Sequence, residues 1–328
     1  VFFRDLGIPE PDVMLQVNGS SHAEVTASVL LAVETELTRN RPQLLVVVGD
    51  VTSTLSAALA AAKLGIPIAH VEPGPRSRDW TMPEEINRVL TDQLSDLLLI
   101  PSHDAEPNLH AEGVAPERIV FVGNVMIDSL HHALNKPTDV IDRLGLASRG
   151  YGVLTLHRPA NVDSRNAFAA TLDAVEAISS RIPLVFPVHP RTSARAASLG
   201  LGQRLDSLPG LRCVPPMGYN DFGTLFGHAR LVATASGGIQ EETTARGIPC
   251  LTLRDSTERP TTVSQGTNLV VALDCDRIAR EVDTILAGRP KTGTVPSGWD
   301  GRTAERIVDA LLRFLGGTPP PKTCRTEA

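Results

Sequence analysis

The stretch from Val46 to Asp96 constrains the fold most, because in and around it fully apolar runs alternate with helix-like segments. The run LLVVV (Leu44–Val48) contains no polar residue and stops at Gly49-Asp50. A second run, IPIAHV, ends at Val71 and hands over to Glu72, and a third, LLLI, ends at Ile100. Short uninterrupted apolar strands separated by helical stretches read as a parallel sheet buried on both faces. An antiparallel sheet with one wet face would alternate apolar and polar positions instead. The intervening TSTLSAALAAAK reads as a small-residue helix ended by Gly65, and Pro83 suits the first turn of the next helix.

Sheets of this kind bind ligands outside the carboxyl ends of their strands. Three carboxylates reach that rim: Asp50 and Glu72 at strand ends, and Glu84 at a helix start. They are candidates for acid–base work, although three solvated loop charges would read the same way. Arg88 lies four residues after Glu84, the spacing of a helical ion pair, with Asp92 following on the same face.

The alternation runs through the whole chain. Ser21-His22-Ala23-Glu24 forms a capping box that starts a helix. Strands are expected at 97–100 and 119–122, and helices at 105–112 and 127–134. The proline, charge and glycine of 136–150 read as an interdomain linker. The pattern restarts with strand 152–156 and continues to strand 269–271 and helix 277–287. Two successive βα series imply an α/β protein of two doubly wound, Rossmann-like domains facing a central cleft. Their expected limits are 1–145 and 146–298, with a disordered tail over 317–328. The chain opens mid-loop and its first half offers only four strands, so a first βα unit is expected to be missing from it.

The second half carries a phosphate candidate, strand 231–234 followed by Ser236-Gly237-Gly238-Ile239-Gln240-Glu241-Glu242. A strand entering a helix through Ser-Gly-Gly offers free backbone N–H groups and a positive dipole end. A tight turn that merely needs glycine is the bland alternative. A carboxylate at Glu242 would repel phosphate but suits a ribose diol. Arg254 and Arg259, at the next strand end, could neutralise a diphosphate. His157-Arg158 and His189 with Arg191 add cationic groups at two further strand ends.

Composition narrows the classes. A net charge of −6 argues against a protein built to grip nucleic acid, and 4% aromatic residues leave no stacking platform for bases. No run approaches the roughly 18 apolar residues of a membrane span. The four cysteines are dispersed without C-x-x-C spacing, which argues against zinc or a disulfide framework and for a reducing cytoplasm. G-x-G-x-x-G, a Walker lysine motif, G-x-S-x-G and H-E-x-x-H are all missing.

Together HVEPGPRS…MPEEINR, GD-x-T-S-T, GN-x-x-ID, LHR, FPVHP and SGGIQEE…LRDSTERP resemble the non-hydrolysing UDP-N-acetylglucosamine 2-epimerase family, from about Asp5 to Arg306. The resemblance implies a glycosyltransferase B-like architecture whose final helix, about 299–316, returns to complete the first domain. It implies interconversion of UDP-GlcNAc and UDP-ManNAc by a homodimer, without metal, nicotinamide or any other cofactor. Asp50, Glu72, Glu84 and His157 match the family's catalytic positions. Ser236, Gly238, Glu242 and Arg259 match its UDP-binding positions, with Gly237 between them, and Phe222 matches the residue near the uracil. Arg88 is expected at the substrate too. The chain departs from the family at Pro73 and Pro75 beside Glu72, at Pro159-Ala160, which puts allosteric activation by substrate in doubt, and in lacking the N-terminal G-T-R-P-E turn.

The chemistry explains why two glutamates are wanted. The proton at C2 of an N-acetyl sugar lies beside no carbonyl. Departure of UDP from C1 builds oxocarbenium character that acidifies C2. Inversion then needs acid–base groups on both faces, for which Glu72 and Glu84 are the candidates. A hydrolysing 2-epimerase releasing ManNAc and UDP, or a UDP-sugar glycosyltransferase of similar fold, would use many of the same residues.

Overall fold

A computed structural model describes residues 7–134, 138–156 and 159–317. The chain divides into two compact units, one of Glu10–Asp128 with the segment from Ser297 onward, the other containing Ser129–Pro296. The division falls within helix Val125–Leu134 rather than in the proline-rich stretch after it.

The first unit is a four-stranded sheet of β1 (Leu45–Val48), β2 (Ile68–Val71), β3 (Leu97–Ile100) and β4 (Ile119–Phe121), in that spatial order. Every pairing is parallel, as the apolar runs predict. Strands β2 and β3 are buried along their whole length. Strand β1 lies at the edge and shows Val46 (41% exposed) and Val48 (53%) to solvent. Its inward Val47 packs with Leu37, Ala58, Ala61 and Ile68. The alanines come from helix Thr52–Lys63, whose small side chains let it lie close on the sheet. Helix His22–Arg39 has the expected capping box, in which Ser21 Oγ accepts from Glu24 N and the Glu24 carboxylate accepts from Ser21 N.

Helix Thr303–Gly316 packs on the other face, where Ile307 and Ala310 meet Ala69, Val71, Leu97, Leu99 and Val122. Asp128 caps it from a distance, its carboxylate accepting from Thr303 N at 3.1 Å and Ala304 N at 2.7 Å. The loop before it crosses Gly123, where a Cβ would stand 2.1 Å from the Gly298 oxygen. Trp299 Nε1 donates to the Pro101 carbonyl at 3.1 Å.

The second unit is a six-stranded parallel sheet: β5 (Gly152–Thr155), β6 (Leu184–Pro187), β7 (Leu211–Val214), β8 (Leu231–Thr234), β9 (Cys250–Thr252) and β10 (Asn268–Val270). Its spatial order is β10-β9-β8-β5-β6-β7. The order reverses between β5 and β8, which makes that seam the topological switch point where ligands bind in doubly wound sheets. Leu154, Leu156, Phe168, Leu172, Phe186, Leu231 and Leu251 belong to the core around it.

From Thr138 onward, the stretch read as a linker is part of this unit. Thr138 N donates to Thr224 Oγ1, a short helix spans Val140–Arg143, and Arg143 pairs with Asp221 at 2.7 Å. Local proline and charge mark surface chain in a sequence, and surface chain docked on a domain looks the same as a free linker. The tail from 318 onward lies outside the described residues.

Candidate active site

In the first unit the register Val48↔Val71 sets the ends of β1 and β2 level, so Asp50 and Glu72 leave neighbouring strands on one rim. Glu72 N donates to Leu99 O at 3.2 Å, and the residue then turns with φ 73°. This left-handed conformation is uncommon for a residue with a Cβ and costs on the order of 1 kcal/mol or more. Two buried carboxylates hold the turn in place. Asp92 Oδ2 accepts from Gly74 N at 3.0 Å and from Arg76 Nη2 at 2.6 Å. Glu85 accepts from Ser77 N at 2.9 Å and Arg78 N at 2.7 Å. Gly74 is required by its own φ of 90° and because a Cβ there would stand 2.7 Å from Ala105 Cβ.

Arg88 has a different place from the one expected. It pairs with Glu85 at 2.7 Å and, through Nε at 3.1 Å and Nη2, with Asp50 Oδ2, and only 3% of its surface is exposed. Glu84 is not its partner. Although Glu84 has the i,i+4 spacing, Glu85 is the residue turned inward, 2% exposed, and Glu84 stays exposed in the first turn of helix Pro83–Leu94. Arg88 therefore anchors Asp50, whose carbonyl also accepts from Asn87 Nδ2 at 2.9 Å. Asp92 is likewise taken by His70 at 2.7 Å and by Arg76 rather than by its own helix face. Burial alone would lower the Arg76 guanidinium. Hydrogen bonds to Glu112 and Asp92 outweigh burial and hold it above its ordinary value.

In the second unit, Thr155 at the end of β5 and Thr234 at the end of β8 meet across the switch point, their hydroxyls 2.5 Å apart. Helix Gly237–Ala245 begins there with Ser236 as N-cap, and no side chain caps it. Gly237 is needed for close approach, since a Cβ would stand 2.8 Å from Glu258 Oε1. Arg259 pairs with Glu241 at 3.0 Å and Arg254 with Glu258 at 2.8 Å.

Glu242 is 2% exposed. Its Oε1 accepts from the Tyr219 hydroxyl at 2.9 Å, while its Oε2 is buried with no hydrogen-bond partner among the described residues. Burial pushes this carboxyl up to about 7, the Tyr219 hydrogen bond offsetting part of the shift. Close by in the chain, Phe222 joins Met217, Pro216, Pro187, His189, Thr155 and Leu156 in lining a pocket of about 190 Å³.

His157 lies outside the described residues. His189 accepts from Arg191 N as an N-cap, and Arg191 is taken by Asp163 at 3.0 Å. His70, Arg76, Glu85 and Tyr219 were missed as site residues by sequence reasoning. Only the adjacency of Glu85 to Glu84, and of His70 and Arg76 to Glu72, could have signalled three of them. Among the described residues no His/Cys/Asp/Glu group is arranged to hold a metal ion, and no helix is long and apolar enough to cross a membrane.

The family model described as UDP-N-acetylglucosamine 2-epimerase matches residues 1–312. The UDP-N-acetylglucosamine 2-epimerase of Methanocaldococcus jannaschii is 37% identical over 320 residues, covering 95% of this chain and 86% of the relative. The UDP-2,3-diacetamido-2,3-dideoxy-D-glucuronate 2-epimerase of Pseudomonas aeruginosa is 40% identical over 319 residues, covering 96% and 87%. The crystal structure of the M. jannaschii enzyme in complex with UDP-GlcNAc and UDP superposes with a TM-score of 0.87, covering 95% of this chain and 87% of that one. The two parallel α/β sheets are thus those of glycosyltransferase B-like epimerases, and the chain belongs to the UDP-N-acetylglucosamine 2-epimerase family.

Proposed function

We infer that the protein is a non-hydrolysing 2-epimerase that interconverts UDP-GlcNAc and UDP-ManNAc. The observation that carries the reading is Glu72, held at φ 73° by Asp92 and Glu85 on the rim that also bears Asp50. A strained turn clamped from behind by two buried carboxylates suits an acid–base group that needs a fixed position. The switch-point turn supports a nucleotide diphosphate. Amides of Gly237 and Gly238, the first two of their helix, would take phosphate oxygens, Arg259 would add positive charge, and the pocket beside Phe222 would take the uracil. The unpartnered Oε2 of Glu242 suits a ribose hydroxyl.

The reaction then runs by elimination and re-addition. One of Glu72 and Glu84 takes the C2 proton as the C1–O bond breaks, leaving 2-acetamidoglucal and UDP. The UDP oxygen then re-forms the bond to C1, and the other glutamate delivers a proton to the opposite face of C2. Asp50, fixed by Arg88, orients an acid, and His157 with Arg259 stabilises the charge growing on UDP. Turnover of UDP-GlcNAc in heavy water tests this. Deuterium at C2 of intact UDP-sugar is the expected result. Free ManNAc would select a hydrolase, and a protein that binds UDP without exchanging C2 would not be an epimerase.

A second reading keeps the chemistry and changes the sugar. The 40% identity to the diacetamido-glucuronate enzyme favours a 3-acetamido uronate, and the two sugars are separated by comparing kcat/KM. We also propose a homodimer. Ile86 and Leu90, one turn apart on helix Pro83–Leu94, are exposed together with Trp80. A cytoplasmic location accords with the dispersed cysteines.

A further inference from the structure

Behind the Glu72 turn lies a buried charged cluster that no step of the proposed reaction uses. His70 and Asp92 are both 0% exposed. Asp92 Oδ1 lies 2.7 Å from His70 Nδ1, while Asp92 Oδ2 holds Gly74 N and Arg76. The opposite ring nitrogen, Nε2, lies 2.8 Å from the Gly49 carbonyl oxygen, on the peptide that leads into Asp50.

Carboxylates and carbonyls accept hydrogen bonds and cannot donate them. His70 therefore satisfies both neighbours only with a proton on each nitrogen. The same count balances the buried charge. A cationic His70 and Arg76 face Asp92 and Glu112, the latter binding Arg76 at 2.8 and 2.6 Å. A neutral ring would turn a bare lone pair toward one acceptor and leave excess negative charge. The other charged groups nearby are already engaged. Asp96 accepts from Ile68 N at 2.9 Å, Arg118 lies near Asp96 and Asp92, and Asp50 is held by Arg88.

We propose that His70 is a positioning residue for proton transfer, an imidazolium that ties the Gly49–Asp50 peptide through Asp92 to the Gly74–Arg76 turn. Asp50 and Glu72 are thereby held at a set separation. This rests on the reading of those two residues as acid–base groups.

Two measurements test it. In H70N and in D92N, kcat for C2 exchange is expected to fall at least about thirtyfold, with KM changed by less than about threefold, because orientation rather than binding is lost. The double variant is expected to be no slower than the worse single one, since the two residues act as a unit. Near-normal kcat, or a loss confined to KM, would overturn the proposal. Nitrogen-15 NMR of histidine-labelled wild-type protein at pH 7.5 is expected to show one ring protonated at both nitrogens. That ring is assigned by its loss in H70N or, if that variant does not fold, by ring-to-backbone correlation. A neutral His70 ring overturns the linkage. A wild-type protein without exchange activity would instead overturn the epimerase reading, and the NMR result would still decide the state of His70.

Discussion

Glu84 and Glu85 are adjacent in sequence and opposite in situation. Glu85 is consumed by Ser77, Arg78 and Arg88, while Glu84 is exposed. Replacing Glu84 or Glu72 by Gln is therefore expected to lower C2 exchange by about a hundredfold or more and to leave UDP affinity unchanged by calorimetry. E85Q should instead lower the melting temperature, because a neutral amide would be left opposite the buried Arg88. Glu242 adds a pH dependence. Its carboxyl is raised to about 7 in the folded protein, so it keeps its proton above the pH where an unfolded chain would lose it. Its contribution to stability is full below the ordinary carboxylate range and is lost as pH rises through about 7. Ribose hydroxyls are better accepted by the ionised form. UDP should thus bind more tightly as pH rises, by up to tenfold per unit below about 7, and E242Q should remove that component from the titration of Kd.

At the scale of elements, helix Thr303–Gly316 depends on a cap that lies far away in sequence. Both amides accepted by Asp128 are orphan donors of the helix N-terminus. Removing the carboxylate in D128A should destabilise the first unit by about 1 kcal/mol, read from a denaturant titration. The cap gives the aspartate of the GN-x-x-ID motif a structural role. Strands, the parallel class of their sheet and the capping box at Ser21 were legible because each leaves its mark, an uninterrupted apolar run or a Ser-x-x-Glu spacing, within a few neighbouring residues. The Arg88 pairing was not. An i,i+4 rule sees only one helix, whereas Arg88 Nη2 reaches Asp50, 38 positions away. His70 was invisible for the same reason. Inside an apolar strand it reads as one more core position, and its partners Gly49 and Asp92 come from two other elements.

For the whole molecule, the resemblance yields an expected assembly as well as an activity. A mass near twice 35.0 kDa in light scattering is the expected outcome, and I86E/L90E should reduce it to a single chain. A monomeric wild type would remove the dimer from the account. Helix Thr303–Gly316 bears on the same experiment. It covers Ala69, Val71, Leu97 and Leu99 of the first sheet, so proteolytic loss of the chain after Pro296 would open an apolar face and turn a clean light-scattering signal into aggregate.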